Sequence, residues 1–296
     1  MEVTCRTIQG RSLLRPSAEL NRRFLGVLGR AQRRECVQIH GITALSSHFH
    51  LLASPDQPDQ FVRFMQYLQT NLSKEIGDLH DWRGTLWDGR YHHIPVSDED
   101  EAQMARLRYL FENGTKEDLV ARVQDWPGVH CARALLEGEP LEGVWYNRTA
   151  FYNARLRGED VRLADFAEPE TVHLTPLPCW QGLPEDEIRA RIASLIHLIE
   201  RENHERRRDT GKGVLGVGKI RRRHPHARPK KLARSPAPRF HTATQKAWLL
   251  LRDAYNEFYA EFRKAAELLK NGSTDPRFPP GSFPPGMPYV PHQAPG

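Results

Sequence analysis

Two histidines are the first residues in this sequence whose types and spacing could do chemistry together. His48 and His50 flank Phe49 in the run SSHFHLLAS. Side chains two positions apart on a β-strand point to the same face, so the two imidazoles converge while Phe49 turns to the other side. This arrangement indicates a divalent metal site. Two half-exposed histidines without a metal explain the pattern equally well, because H-x-H is common by chance.

A tyrosine and an asparagine further along the chain share one face of a predicted helix. At about 100° per residue, the apolar side chains of this helix form a stripe, and Tyr109 and Asn113 lie together on roughly the opposite side. Residues four apart are neighbours on a helix surface, so a phenol and an amide oxygen face the same way. The alternative is a surface tyrosine followed by a helix C-terminal signal at Asn113-Gly114.

Residues 1–125 supply a sheet and helices to position these side chains. Their order, read from apolar periodicity, is strand, helix, strand, strand, helix, strand, helix. This order predicts an α+β fold, a ferredoxin-like sandwich of an antiparallel sheet with helices on one face, followed by a largely helical C-terminal extension. The predicted elements are a strand over 2–9, a helix over 17–34 capped by Ser17, strands over 37–43 and 48–53, a helix over 61–77, a short strand within 84–96 and a helix that starts at Ser97.

The remainder of the chain divides into four predicted segments with different compositions. Residues 126–200 form a mixed or helical extension, with a helix over 184–208. Residues 201–240 form a basic flexible arm, because glycines, prolines and charges leave little apolar surface to bury. Residues 241–270 form an amphipathic helix. The proline-rich tail 271–296 is predicted to be disordered.

The basic character of the protein is local. The formal net charge is +6, yet between Arg201 and Arg234 there are 13 Lys or Arg residues against 3 acidic ones. Such a segment binds phosphates without regard to sequence, although basic runs are also common as solvated linkers. We therefore expect a polyanionic partner or a charged tether.

Cysteines and hydropathy limit the class of protein. The 4 cysteines form no C-x-x-C pair, which argues against a zinc ribbon and a redox motif and fits a reduced cytoplasmic compartment. The N-terminal residues have no apolar core of signal-peptide length, and no stretch approaches the ~20 apolar residues of a membrane helix. We expect a cytoplasmic protein without a membrane partner.

His48-Phe49-His50 resembles the signature of the HUH single-tyrosine transposases, and residues 1–125 are similar to the REP-associated tyrosine transposases. Four segments of this sequence resemble family segments and follow one another in the same order and at similar spacing. They are SSHFHLLAS, FVRFMQYLQTNLSKEIG, GTLWDGRYHHIPV and RLRYLFENGTKEDLV. The chain departs from the family in having Gly114 after Asn113 and Ser46-Ser47 before His48.

The resemblance implies a nuclease and strand transferase that acts on single-stranded or hairpin DNA of the nucleoid. Tyr109 would be the nucleophile of a 5′-phosphotyrosine intermediate, and His48, His50 and Asn113 would hold Mg²⁺ or Mn²⁺. A homodimer stays open, since the apolar stripe of residues 241–270 must pack on the core or on a second copy. Candidate DNA contacts are Arg90, His92 and His93 on the short strand, and Arg221, Arg222, Arg223, Lys230 and Lys231 in the basic arm.

Two other functions and two other nucleophiles remain open at this point. A non-cleaving DNA- or RNA-binding protein would keep the fold without catalysis. An unrelated α+β metalloprotein would use the histidine pair structurally and bind no nucleic acid through residues 1–125. Tyr67 and Tyr91 are alternative nucleophiles; Tyr67 has Asn71 one helical turn later, whereas Tyr91 has no asparagine at that spacing.

Overall fold

A four-stranded antiparallel sheet forms the centre of the protein, which we describe from a computed structural model over residues 1–229 and 237–286. Its strands are β1 (Glu2–Arg6), β2 (Gln38–Ala44), β3 (His48–Ser54) and β4 (His92–Ile94). They lie in the order β2-β3-β1-β4, and neighbouring strands are antiparallel. The predicted α+β class and the predicted order of elements are confirmed.

Helices α1 (Ala18–Glu35) and α2 (Pro58–His80) pack on one face of this sheet. The hydroxyl of Ser17 accepts a hydrogen bond from the Leu20 amide at 3.1 Å, which confirms the predicted N-cap. On the sheet side, the Phe24 ring of α1 meets Phe49 edge to face at 5.4 Å. Phe49 thus enters the core, and the histidines on either side of it must face the other way.

Helix α3 (Asp100–Lys116) packs on the opposite face, so the expected placement of helices on one face holds for α1 and α2 only. A Cβ atom at Gly41 of β2 would lie 3.0 Å from a methyl group of Leu110, which shows how closely α3 approaches this face. The helix begins at Asp100 rather than at Ser97, because the Ser97 hydroxyl donates to the Glu99 carboxylate instead of capping the helix.

The C-terminal extension continues the same hydrophobic core. A second sheet pairs β5 (Leu141–Tyr146) with β6 (Ala167–Val172) and lies against α1, where a Cβ at Gly26 would be 2.1 Å from the Val144 backbone. Side chains of α6, including Ile192 and Ile199, belong to the core cluster that contains Val3. Residue 125 therefore marks no break in packing. The helices of this part are α4 (Ala132–Glu137), α5 (Arg148–Leu156) and α6 (Glu185–Thr210).

The expected flexible arm over 201–240 differs from the structure in its first half. Residues 201–210 are the last turns of α6, where Asn203 is buried and Arg206 forms an ion pair with Asp118 at 2.6 Å. Helix α7 (Val217–Arg222) follows. The composition misled the prediction because Glu202, Arg206 and Arg207 bind partners on neighbouring elements rather than facing solvent alone. Lys230 and Lys231 lie outside the described residues.

Helix α8 (Gln245–Lys270) is long, and Ala265 and Leu269 are its only buried residues. The described part of the expected disordered tail, 271–286, contacts the rest of the protein. The Phe278 ring lies 5.2 Å from Phe262 of α8. None of the helices within residues 1–229 and 237–286 is long and apolar enough to cross a membrane.

Candidate active site

The histidine pair lies at one end of the central strand β3. His50 is opposite Thr4 of β1, and His48 is opposite Arg6, so all four residues share one face of the sheet. The two imidazole rings are 5.1 Å apart and nearly perpendicular. The structure thus brings the two histidines together as strand alternation predicts.

Tyr109 of α3 packs directly against this pair. Its ring meets His50 edge to face, with ring centroids 5.1 Å apart. The guanidinium of Arg106 lies 5.3 Å and the ammonium of Lys116 5.6 Å from the centroid of the same ring. Burial and the negative charge of Glu2 raise the pKa of Tyr109, against a smaller opposing effect of Arg106. The free phenol is therefore protonated at neutral pH, with two cations beside it.

Asn113 lies one helical turn beyond Tyr109 and is buried. Its amide nitrogen donates to the Tyr109 carbonyl oxygen at 2.7 Å. Within the described part of the chain, its amide oxygen makes no hydrogen bond to the protein, so this oxygen is available to a ligand. The structure brings Asn113 to Tyr109, but it shows no direct contact between Asn113 and either histidine.

His50 has one occupied and one free ring nitrogen. Nδ1 is 3.1 Å from the Glu2 carboxylate and 3.0 Å from the Thr4 hydroxyl, whereas Nε2 is buried and has no hydrogen-bond partner among the described residues. Burial alone would raise the pKa of Glu2, but hydrogen bonds from His241 and His50 and the charge of Arg106 hold it well below its usual range. An ionised carboxylate only accepts, so Nδ1 donates, and in the neutral imidazole Nε2 then carries the lone pair.

His48 is neutral at physiological pH. Burial, with smaller effects of His50 and Arg6, lowers the pKa of His48 to about 3, and its Nδ1 lies 3.2 Å from the Ser47 hydroxyl. Neutral imidazoles with a free ring nitrogen are the form that binds metal. The orphaned Nε2 of His50 therefore fits a divalent cation. Among the described residues no three His, Cys, Asp or Glu side chains form a complete metal cluster, so further ligands must be amide, phosphate or water oxygens.

Comparisons with known proteins add one observation. No family model and no curated protein matches this chain. The chain is similar to a solved transposase. That structure is a REP-associated tyrosine transposase bound to a REP hairpin, with 18% sequence identity, a TM-score of 0.39, and a match over 46% of this chain and 79% of that chain. A likeness of this size does not decide the function, which has to be inferred from the site.

The predicted DNA contacts on the short strand have different surroundings. His92 of β4 is exposed and shares the sheet face of His50, whereas His93 points to the other face. Arg90 is exposed, and its guanidinium lies 3.9 Å from the centroid of the Phe283 ring of the C-terminal tail. Of these three residues, His92 therefore lies on the sheet face of the histidine pair, with β1 between it and His50.

The exposed arginines of α7, Arg221, Arg222 and Arg223, lie near the turn that leads into His48. Ile220 of α7 is buried in a small cluster with Leu45, Val120 and Trp126, and Leu45 is three residues before His48. The Arg15 guanidinium also donates to the Arg221 carbonyl at 3.0 Å. Three exposed positive charges therefore lie on or directly after a helix that packs near the turn before His48.

The alternative nucleophiles lie elsewhere. Tyr67 of α2 packs against the guanidinium of Arg34 at 4.7 Å, and Tyr91 packs against Phe61 of α2 at 5.8 Å. Both contacts belong to the sheet face that carries α1 and α2. Burial also raises the pKa of Tyr91 to about 12. Tyr109 is the tyrosine that the structure brings to the histidines.

Three residues of this site were missed from the sequence: Glu2, Arg106 and His241. Alternation of Glu2 and Thr4 with Val3 and Cys5 marks a polar face on the first strand, but nothing local says that this face lies beside His50. Arg106 is one turn before Tyr109, and this spacing was a usable signal. His241 had none, because its contact spans most of the chain.

Proposed function

We propose that this protein is a metal-dependent nuclease and strand transferase for single-stranded or hairpin DNA, acting through a 5′-phosphotyrosine at Tyr109. One observation carries the proposal. The Tyr109 ring lies 5.1 Å from the ring of His50, whose buried Nε2 has no partner within the protein. A phenol beside an orphaned imidazole nitrogen on a polar sheet face has the chemistry of a nucleophile next to a metal ligand.

His48, His50 and Asn113 would hold Mg²⁺ or Mn²⁺, which when bound supplies Lewis-acid polarisation of the scissile phosphate. The oxygen of Tyr109 would attack phosphorus, forming a bond to the 5′-phosphate while the bond to the 3′ oxygen breaks and releases a 3′-OH. The energy of the cleaved bond is kept in the phosphotyrosine, so the 3′-OH of another end can reverse the step. The raised pKa of Tyr109 makes activation necessary, and the charges of Arg106 and Lys116 stabilise the phenolate.

DNA is the proposed partner on two grounds. The exposed arginines 221–223 form a positive rim beside the turn before His48, and such a rim binds phosphates through counterion release. The solved transposase to which the chain is similar was bound to a REP hairpin. A second function, a non-cleaving nucleic-acid-binding protein, is favoured by the raised pKa of Tyr109 and by the small number of metal-binding side chains.

A denaturing gel with labelled hairpin DNA and Mn²⁺ tests the proposal. Wild type should give a slowly migrating covalent adduct, and the adduct should be absent from Tyr109→Phe and from the double variant His48→Ala/His50→Ala. Tyr152→Phe is the matched control, because Tyr152 is 62% exposed on α5, away from the site. Hairpin binding without an adduct in wild type would support the non-cleaving protein instead.

A further inference from the structure

Glu2 is a buried carboxylate that the proposed reaction does not use directly. It is 4% exposed and contacts three basic side chains. One carboxylate oxygen lies 3.1 Å from Nδ1 of His50. The other lies 3.1 Å from Nε2 of His241 and 3.4 Å from the Arg106 guanidinium. Burying a carboxylate is costly unless it is paired, so this arrangement indicates a specific task.

Glu2 decides which nitrogen of His50 carries the proton. The Thr4 hydroxyl beside the same Nδ1 can donate or accept, so it permits either tautomer. An ionised carboxylate only accepts, which requires a proton on Nδ1 and so selects, for the neutral imidazole, the tautomer with its lone pair on Nε2. Ligand histidines in metalloproteins are commonly oriented in this way by a carboxylate on the far nitrogen.

The other side of Glu2 is held by the C-terminal segment 240–244. The His241 amide donates to the Pro95 carbonyl at 2.9 Å, and the Ser97 amide donates to the His241 carbonyl at 2.9 Å. These bonds attach the segment beside the end of β4. Because the backbone of His241 is fixed there, its imidazole can donate to Glu2 from a defined position.

We infer that Glu2 is a positioning residue for His50 and that His241 positions Glu2, so that the C-terminal segment 240–244 completes the site. His241 contacts Glu2, and Glu2 contacts Nδ1 of His50. The other ring nitrogen of His50, Nε2, is the one that faces a ligand beside Tyr109. The metal part of this inference rests on the proposed function, whereas the tautomer part does not. A protein truncated before residue 240 would therefore have an incomplete site.

The first test uses metal-free protein with ¹⁵N-labelled histidine and reads the His50 tautomer by NMR. Wild type should show a protonated Nδ1 and an unprotonated Nε2. Glu2→Ala and Glu2→Gln should both lose this preference, because a Gln amide can donate as well as accept, and His241→Ala should give a mixture. A wild-type His50 that is protonated on Nε2 would overturn the inference, as would a His241→Ala spectrum identical to that of wild type.

The second test measures Mn²⁺ affinity from the free-Mn²⁺ signal in electron paramagnetic resonance. Glu2→Ala should weaken binding about 10- to 100-fold, the usual effect of removing such a carboxylate, and Glu2→Gln should weaken it less, because its amide oxygen can still accept from Nδ1. His197→Ala is the control, because His197 is exposed on α6. Affinity equal to that of wild type in Glu2→Ala would refute the positioning role.

The two tests separate this inference from the proposed function. If wild type binds no Mn²⁺ but its His50 tautomer depends on Glu2 and His241, the positioning role stands and the metal-dependent nuclease does not. If Glu2→Ala fails to fold, Glu2→Gln and His241→Ala still decide, since each keeps the Glu2 position polar and each should weaken the wild-type preference for a protonated Nδ1.

Discussion

Tyr109, His50 and Asn113 show what single residues contribute to the site. The phenol contacts one imidazole, and the asparagine one turn later offers an amide oxygen that makes no hydrogen bond to the described part of the protein. The sequence predicted the histidine pair and the helical pair separately, because each follows a local period. It did not predict Glu2, since strand pairing across nearly fifty residues decides which carboxylate meets His50.

Asn113→Ala should raise the Mn²⁺ concentration needed for half-maximal adduct formation about tenfold, because one oxygen ligand is lost while the nucleophile stays. The measurement is an Mn²⁺ titration of adduct yield. Asn153→Ala, an exposed change on α5, serves as the control and should leave the titration unchanged. An unchanged midpoint in Asn113→Ala would remove Asn113 from the metal site.

His130 should make stability depend on pH. Burial lowers the pKa of His130 to about 4, and its Nε2 is buried without a partner. Since the folded pKa lies below the unfolded value near 6.5, the folded state binds the proton less well. Stability is therefore complete above about pH 6.5 and falls as the pH drops toward 4. Urea unfolding at several pH values should show that the free energy of unfolding falls less steeply with decreasing pH in His130→Gln than in wild type. Equal pH dependence in the two proteins would contradict the role of His130.

The elements place these residues through their packing on two faces of one sheet. Helices α1 and α2 cover the face of Phe49, and α3 covers the face of the histidines. Periodicity predicted each helix, but it could not say on which face α3 packs, because an amphipathic helix fits either face. The close contact between α1 and the second sheet was equally hidden, since a glycine in a helix has several explanations.

Gly26→Ala tests that contact. A Cβ there would lie 2.1 Å from the Val144 backbone, so α1 and β5 must separate, and overpacking of this kind costs about 1–3 kcal/mol or more. Chemical denaturation should show this loss of unfolding free energy. Gly213→Ala is the matched change, because nothing lies within 4 Å of its added Cβ, and it should be neutral or stabilising. Equal stability of the two variants would mean that α1 and β5 lie further apart than this structure places them.

At the scale of the whole molecule, the C-terminal half wraps back onto the site. Residues of α6 share the core of the sheet, α7 lies beside the turn before His48, and segment 240–244 reaches Glu2. Composition predicted the positive charge of this region but also a flexible arm, because partners far away in sequence, such as Asp118 for Arg206, cannot be read from a basic run.

The charges on α7 should dominate the salt dependence of DNA binding. Replacing Arg221, Arg222 and Arg223 by alanine should weaken hairpin binding and reduce the slope of log K against log salt by about 2, given ~0.7–0.9 per phosphate contact. Fluorescence anisotropy over a salt series measures this slope. The control removes Arg155, Arg157 and Arg162 near α5 and should change the slope little; equal effects of both triple variants would show that only net charge matters.

The central claim is tested most directly by locating the covalent bond. Wild-type protein is incubated with hairpin DNA and Mn²⁺, the DNA is trimmed by nuclease, and the peptides are analysed by mass spectrometry. We expect a nucleotide 5′-phosphate on the phenolic oxygen of Tyr109. A modification on Tyr67 or Tyr91, or DNA cleaved without any modified tyrosine, would contradict the proposal.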